Sequence, residues 1–432
     1  MKPIHVVAPL ILAASVICLG QTEPPAVSAP AARTLSVDEA VAEALEANPE
    51  IRASVRRLSL AQLKTTTARS LDDPMFMVRD WDTPLRQPWD LNQAQLMFSV
   101  QQTFLSKEKR DARARIAGDD VEVASSELES LRQEVSADVR EVCADLKRNA
   151  DEMEVHDRQT ALLKEALAAV LAQYTTGKVP EADVLRAQMA LTRLNEHLIE
   201  LEEERDNARA RLNTLMGQSQ DKPVEITGDY ASQAELPQIE ELERLAIEHR
   251  PELAAQRKLL TKSRDQGQLT RLAMKPDFTA AAGYMVMPTG SSSRNAYMAE
   301  MTMNLPWLNR NRHDGEAKQA DAATEVTQAE LDAKASAVFL EVRQAQIETL
   351  AAEKRVKVYR DTLLPQAETA FKASTAAYQN NRAEFQTLIE SQNLLLEIQI
   401  AYYKALSAAD AGVAGLERAI GTQLPGTERT SK

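Results

Sequence analysis

Residues 174–217 and 378–421 of this sequence align without a gap at an offset of 204, setting Leu185 against Ile389, Gln188 against Gln392 and Gly217 against Gly421. A second match, ALEANPEIRA (44–53) with AIEHRPELAA (246–255), places Pro49 against Pro251 at an offset of 202. An internal repeat restricts the fold to two copies of one unit, since whatever one half builds the other must build again. Within the longer block, Leu191, Leu194, Leu198, Leu201, Arg205, Ala208, Leu212 and Leu215 follow the a/d spacing of a heptad seam. Their counterparts, Leu395, Ile398, Tyr402, Ala405, Ala409, Gly412, Leu416 and Ala419, keep the seam with smaller residues, so the second copy approaches its neighbour more closely.

Each half predicts the same order of parts. A helix over 37–70, repeated over 239–273, leads into an irregular segment and then into a very long helical pattern. Residues 106–173 contain no proline, and a continuous helix there would run roughly 100 Å at 1.5 Å per residue. Residues 309–377 match that length with a single proline, Pro365. A globular core has no use for helices this long. They belong to a free coiled coil, or to an assembly of hairpins in which neighbouring chains cover the remaining apolar faces. Only 4% of the residues are aromatic, which suits such helices better than a bulky core.

The irregular segments read as strand hairpins. In the second, Phe278, Ala280, Ala282, Tyr284 and Val286 alternate with Thr279, Ala281 and Gly283, and after the turn PTGSSSRN, Tyr297, Ala299, Met301, Met303 and Leu305 alternate with Glu300, Thr302 and Asn304. The first offers DPMFMVRDW, a turn around TPLRQPWD, and AQLMFSVQQTF, in which Leu96, Phe98 and Val100 alternate with Gln95, Ser99 and Gln101. Flanks of about ten residues match a tilted membrane-crossing strand, but open strand edges cannot exist in hydrocarbon. Four strands are too few to close a barrel, so an oligomer is expected. Trp81, Trp89, Tyr284, Tyr297 and Trp307 fall at strand or turn ends, where interfacial aromatics sit.

The opening MKPIHVVAPLILAASVICLG has a lysine ahead of a short apolar run, as in a secretory signal peptide. Cleavage after Gly20 fits its small-residue rule, and a later cut after Ala29 or Ala32 fits it too. Cys18 would serve as a lipid-bearing cysteine only in a different signal, against which bulky Ile17 argues. Cys143 then stands alone, so no intrachain disulfide is expected. No later run of eighteen apolar residues suggests a membrane-spanning helix. A net charge of -13 argues against nucleic acid as a partner. An acidic lumen would suit cations, although acids on long helices more commonly make a solvated face.

Catalytic and cofactor readings find no support. The histidines at 5, 156, 197, 249 and 313 have no metal-ligand spacing, and neither a phosphate loop nor a nucleophile elbow occurs. One cluster invites a ligand: Met75, Met77, Met97, Met285, Met287, Met298, Met301 and Met303 crowd the strand segments, and thioethers bind soft ions. Met301 and Met303 share the apolar face of their strand, which favours lipid contact for them.

The order of parts, together with LSVDEAVAEALEANPEIRA, VQQTFLSKEKRDARA, MNLPWLNRNRHDGEA and LLPQAETAFKASTAAYQNNRAEFQTLIESQ, resembles the TolC-like outer-membrane efflux protein family across the chain. Pro365, Gln366, Glu368 and Tyr378 carry the most specific part of the likeness. The resemblance implies a mainly α fold with a small β part, in which long antiparallel helical hairpins form an α-barrel tunnel and four strands per chain join a trimeric twelve-stranded barrel. It implies a signal peptide over 1–20 (or up to about 32), structural repeats over 33–228 and 229–424 with hairpins near 74–104 and 277–306, and a disordered tail over 425–432. The function implied is a passive exit duct for small molecules or metal ions, with a slight lean to the heavy-metal branch. Its partners would be outer-membrane lipid, a periplasmic adaptor and an inner-membrane pump of RND type. The rival reading is an exported coiled-coil scaffold without a barrel.

In such a duct the turns between paired helices, near 174–181 and 378–384, form the periplasmic tip. Gly177 supplies the left-handed residue that ends a helix, and Pro180 with Glu181 suits the first turn of the next; Asn381 stands in for the glycine in the second copy. The resemblance assigns adaptor contact to Gly177, Lys178, Val179, Pro180, Asn380, Asn381, Arg382 and Ala383. It also makes Asp183, Glu390 and Thr387 gate candidates, with Glu390 at a position where relatives carry an acid and Thr387 replacing another. An Asp183–Arg382 pair across the tip is expected to hold the closed state.

Overall fold

The computed structural model of the protein describes residues 33–81, 95–230, 236–287, 295–380 and 382–424. The expected signal peptide, both hairpin turns with Trp89, Asn381 and the tail over 425–432 lie outside them. The first half runs β1 (Arg33–Ser36), α1 (Val37–Ala47), α2 (Pro49–Ala68), β2 (Met75–Trp81), β3 (Gln95–Phe104), α3 (Lys107–Thr175), α4 (Glu181–Leu215) and β4 (Val224–Thr227). The second runs α5 (Ile239–His249), α6 (Pro251–Leu272), β5 (Phe278–Val286), β6 (Asn295–Met303), α7 (Arg310–Val358), α8 (Leu364–Gln379) and α9 (Phe385–Ile420). No helix among the described residues is long and apolar enough to cross a membrane.

Two expectations need correction. The single helices read over 37–70 and 239–273 are each broken. Asn48 and Arg250 adopt ψ of 128° and 118°, because a residue before proline is driven out of the helical region and the proline has no N–H to continue the ladder. Each proline becomes the first residue of the next helix, and Asn48 caps α2 by accepting from the amides of Glu50 and Ile51. The second correction is a pair of strands beyond the expected four. β1 and β4 form a parallel pair from Arg33↔Val224 to Ser36↔Thr227, four residues each and too short to show alternation. They bury Leu35 and Val224.

The helical bodies of the halves repeat their contacts. Val135 and Val139 of α3 pack with Ala40, Ala44, Leu212 and Met216; at an offset of 203, Val338 and Val342 of α7 pack with Leu242, Ala246, Leu416 and Ile420. Full burial of each large aliphatic contributes about 1.5–3 kcal/mol. The helix breaks are tied to the far helix ends in the same manner. Asn48 donates from Nδ2 to the Leu215 carbonyl at 2.9 Å, and Arg250 from its guanidinium to the Ala419 carbonyl at 3.2 Å. Beside these ties, Gly217 (φ 64°) and Gly421 (φ 75°) press on the carbonyls of Ala47 and His249. A Cβ there would come within 2.5 Å and 2.7 Å of the oxygens.

α3 is one helix of 69 residues. Its counterpart is interrupted by a π-helical turn, Tyr359–Leu363, between α7 and α8. The repeat offset is 203 at Val338 and 204 beyond Tyr378, so the second copy carries one additional residue between Val342 and Tyr378. A π-turn closes its hydrogen bonds one residue later than an α-turn and absorbs such an insertion. Pro365 follows as the second residue of α8, where its missing N–H costs least.

The halves are pinned together midway along the helices. Lys147 of α3 reaches Asp410 of α9 at 2.7 Å, with both side chains largely buried. The ammonium also lies 4.7 Å from the ring centre of Tyr230, whose hydroxyl donates to Asp151 at 2.7 Å. Cys143, one turn earlier, is fully buried, and burial pushes its thiol up to about 12. It is a protonated core residue at any ordinary pH.

Candidate functional site

Both inter-helix turns close in the same way. At the end of α3, Gly177 takes φ 70° and the Lys178 amide donates to the Gln173 carbonyl at 3.0 Å, a Schellman closure. In the second copy the Arg382 amide donates to Ala377 at 2.8 Å, the same bond 204 residues on. Pro180 and Glu384 then occupy the residue before α4 and α9 with extended backbones, and Asp183 and Thr387 donate their amides to the carbonyls of those residues, each at 3.1 Å. Lys178 and Pro180 are exposed, as are Asn380 and Arg382, while Val179 and Ala383 are half-buried.

One apolar cluster joins the two turns. Val170, Val184, Ala187, Phe385 and Leu388 are buried together, with Val179, Phe371, Tyr378 and Ile389 packed around them. This cluster, centred on Phe385, brings the turns to the same end of the molecule. The sequence reading missed Phe385, although an aromatic in the first turn of α9 was its signal. The rings of Tyr378 and Phe385 lie 5.6 Å apart. Burial, and after it the nearby Asp183 carboxylate, pushes the Tyr378 hydroxyl above its ordinary range.

The gate candidates are placed differently from one another. Asp183 is buried and accepts from Arg186 at 2.9 Å. Among the described residues no ion pair joins it to Arg382, so the expected cross-tip pair is replaced by a local one: Arg186 lies one turn along on the same helix face, the shorter reach. Glu390, 204 residues beyond Arg186, is exposed and accepts from the Gln386 amide at 2.8 Å. Thr387, in the position of Asp183, is exposed.

At the other end lies a four-stranded antiparallel sheet in the order β2-β3-β5-β6. Its register separates two faces. Rows Val78–Phe98–Tyr284–Tyr297 and Phe76–Val100–Ala282–Ala299 project one way with Phe104, Phe278, Met301 and Met303, and their large apolar side chains are mostly exposed, Tyr297 at 90%. Gln95, Ser99, Gln101, Thr103, Thr279, Glu300 and Thr302 project the other way. β2 and β6 each pair on one side only.

The fold also assembles a pair that sequence spacing did not show. His156 of α3 stacks on His197 of α4, with ring centres 4.9 Å apart and planes 8° from parallel. His156 is buried, and neither its Nε2 nor Nδ1 of His197 has a hydrogen-bond partner. Burial first, and His197 second, lower the proton affinity of His156. In the folded chain His156 takes up a proton less readily than in the unfolded chain, where it does so near the usual histidine range of about 6.5. The stability that His156 contributes by staying neutral is complete above that range and falls on acidification through it. Thermal midpoints of the protein should drop between pH 7 and pH 5, and His156→Phe, which keeps the stack, should reduce the drop. Among the described residues no group of three His, Cys, Asp or Glu is placed to hold a metal ion.

A family model described as outer membrane efflux protein matches residues 40–218 and 242–422. The chain is 22% identical over 393 residues to the cobalt-zinc-cadmium resistance protein CzcC of Cupriavidus metallidurans, covering 90% of this chain and 91% of that one. Among solved structures, the outer membrane protein VceC of Vibrio cholerae superposes with a TM-score of 0.75 at 19% identity, over 90% of this chain and 97% of that one. The CmeC outer membrane channel of Campylobacter jejuni gives 0.76 at 12% identity, over 91% and 87%. At these identities the structural likeness is one of fold.

Proposed function

The chain belongs to the outer membrane efflux protein family, and from this premise we propose that three copies close their sheets into one twelve-stranded barrel, β6 of each protomer pairing with β2 of the next. The supporting observation is the sheet itself: an exposed apolar face, a polar face and two unpaired edges. Hydrocarbon tolerates strands only when every edge is paired. The protein is an outer-membrane efflux duct, of a family of channels rather than enzymes. Its apolar sheet face meets lipid, its polar face lines the pore, and the helices prolong the pore into the periplasm. The scaffold reading leaves the apolar face without a use.

In the finer reading the chain is two copies of one unit, 33–228 and 229–424, as their equivalent helix breaks, glycines and turns support. The joined turns are the tip, where Gly177 to Pro180 and Asn380 to Ala383 meet a periplasmic adaptor coupled to an inner-membrane pump of RND type. The cargo is heavy-metal ions, a reading supported by the relative named for cobalt-zinc-cadmium resistance. Outer-membrane fractionation with heat-modifiable gel migration tests the duct; a protein recovered only from soluble periplasm sinks it. Cysteines at the tip should cross-link to cysteines on the adaptor in assembled pumps, and absence of cross-links sinks the docking assignment. Glu390→Ala and Asp183→Ala channels should conduct more in planar bilayers than the unaltered protein. Unchanged conductance would remove both residues from the gate.

A further inference from the structure

The register divides the methionines of the sheet between its faces. Met301 and Met303 lie on the apolar face, whereas Met75, exposed opposite Gln101, lies on the polar one together with a cluster of four, Met77, Met97, Met285 and Met298. We propose that these four thioethers form a binding site for a soft monovalent metal ion, of the Cu(I) or Ag(I) type, on the pore wall. The proposal rests on the duct reading only in taking this face as the pore wall.

Two adjacent rows build the site. In one, Met97 and Met285 are direct cross-strand partners at the centre of the sheet. In the next, Met77 and Met298 flank Ser99 and Gly283. The rows are about 7 Å apart and neighbouring strands about 5 Å, so Met77 and Met298, on the two outer strands, reach one ion with Met97 and Met285 only by extending inward over the small central pair. Gly283 makes the room. A Cβ on it would stand 2.9 Å from the Ser99 Cβ and 3.3 Å from the Met298 methyl carbon, so the Met298 side chain lies over the space that a larger residue would take. Met97 is 2% exposed although it belongs to an open four-stranded sheet.

The chemistry selects the ligand. Thioethers are neutral, soft donors that favour Cu(I)-type ions over hard or borderline divalent ones. Arg79, on the same face, donates to the Met77 sulfur at 3.3 Å, a bond that an ion taking Met77 as a ligand must displace. Gln95, whose amide reaches the Met285 sulfur, supplies a neutral polar neighbour. All four sulfurs come from one protomer, giving one ion per chain. Methionine does not titrate, so affinity should be level between pH 5 and 8, unlike that of a histidine or cysteine site. Several neutral-donor sites around a pore also fit a duct, which must bind a passing ion weakly enough to release it.

The test is equilibrium dialysis of the full-length protein in detergent against Ag(I) in chloride-free buffer, with metal counted by mass spectrometry. About one silver ion per chain should be lost or weakened roughly tenfold or more in Met97→Leu/Met285→Leu. Met301→Leu/Met303→Leu should bind like the unaltered protein, and Zn(II) uptake should be the same in all three. Heat-modifiable migration checks that each variant assembles, and both pairs of variants keep the same cysteines. No silver uptake by the unaltered protein, equal losses from inner and outer variants, or an equal loss of Zn(II) would overturn the site. A conducting barrel that takes up no silver would sink this proposal and leave the duct standing, whereas bound silver in a protein that never reaches the outer membrane would sink the duct.

Discussion

Gly421→Ala is expected to lower stability by roughly 3 kcal/mol or more, combining a left-handed backbone that L-residues avoid with overpacking against a fixed carbonyl. Two observations at one residue carry this. The φ of 75° penalises any side chain, and the new Cβ would lie 2.7 Å from the His249 oxygen and 2.9 Å from the Arg250 Cα. Neither neighbour can yield easily, since Arg250 is buried and its guanidinium holds the Ala419 carbonyl. Gly177→Ala is the internal control. It shares a positive φ of 70° but has nothing within 4 Å of the added methyl, so only the backbone cost of about 1–2 kcal/mol applies. The temperature at which the heat-modifiable form collapses on a gel should fall markedly for Gly421→Ala and little for Gly177→Ala. Equal shifts would mean that the contact with the α5–α6 break contributes nothing.

The other large effect is expected at the pin between halves. Lys147→Met breaks this largely buried pair from one side, which costs about 3–5 kcal/mol. Lys147→Met/Asp410→Leu removes both charges and should recover most of that loss, because a buried ion pair contributes little over apolar residues of like volume. Denaturant melts of the two variants decide it. If the double variant is no better than the single one, the pair is held by more than mutual charge, and the stacking of Lys147 on Tyr230 becomes the term to examine.

Much of this architecture was legible because it is periodic. The gapless offset of 204 located both inter-helix turns, strand alternation located three strands of the large sheet, and the repeat order located the fourth, over DPMFMVRDW. What escaped the reading was set by contacts distant in sequence or by very short elements. β1 and β4 are four residues each and exist only through one another. Pro49 and Pro251 were seen as a repeat marker, yet the broken helices they impose follow from the backbone of Asn48 and Arg250. Asp183 was expected to reach Arg382 because the turns face each other, but Arg186 on its own helix was nearer. The methionines show the limit best. Composition crowded eight of them into the strand segments, seven of which lie in strands, while the pairing of Met97 with Met285 shows which of them face each other.

The π-turn gives the two hairpins unlike mechanics. One long arm is an unspliced rod of 69 residues; the other is spliced at Tyr359–Leu363, a recognised cause of helix kinks. When two rods of nearly equal length share a load at the end, deflection concentrates at the splice. If three chains close into a ring as proposed, the end that carries the joined turns would alternate stiff and compliant arms.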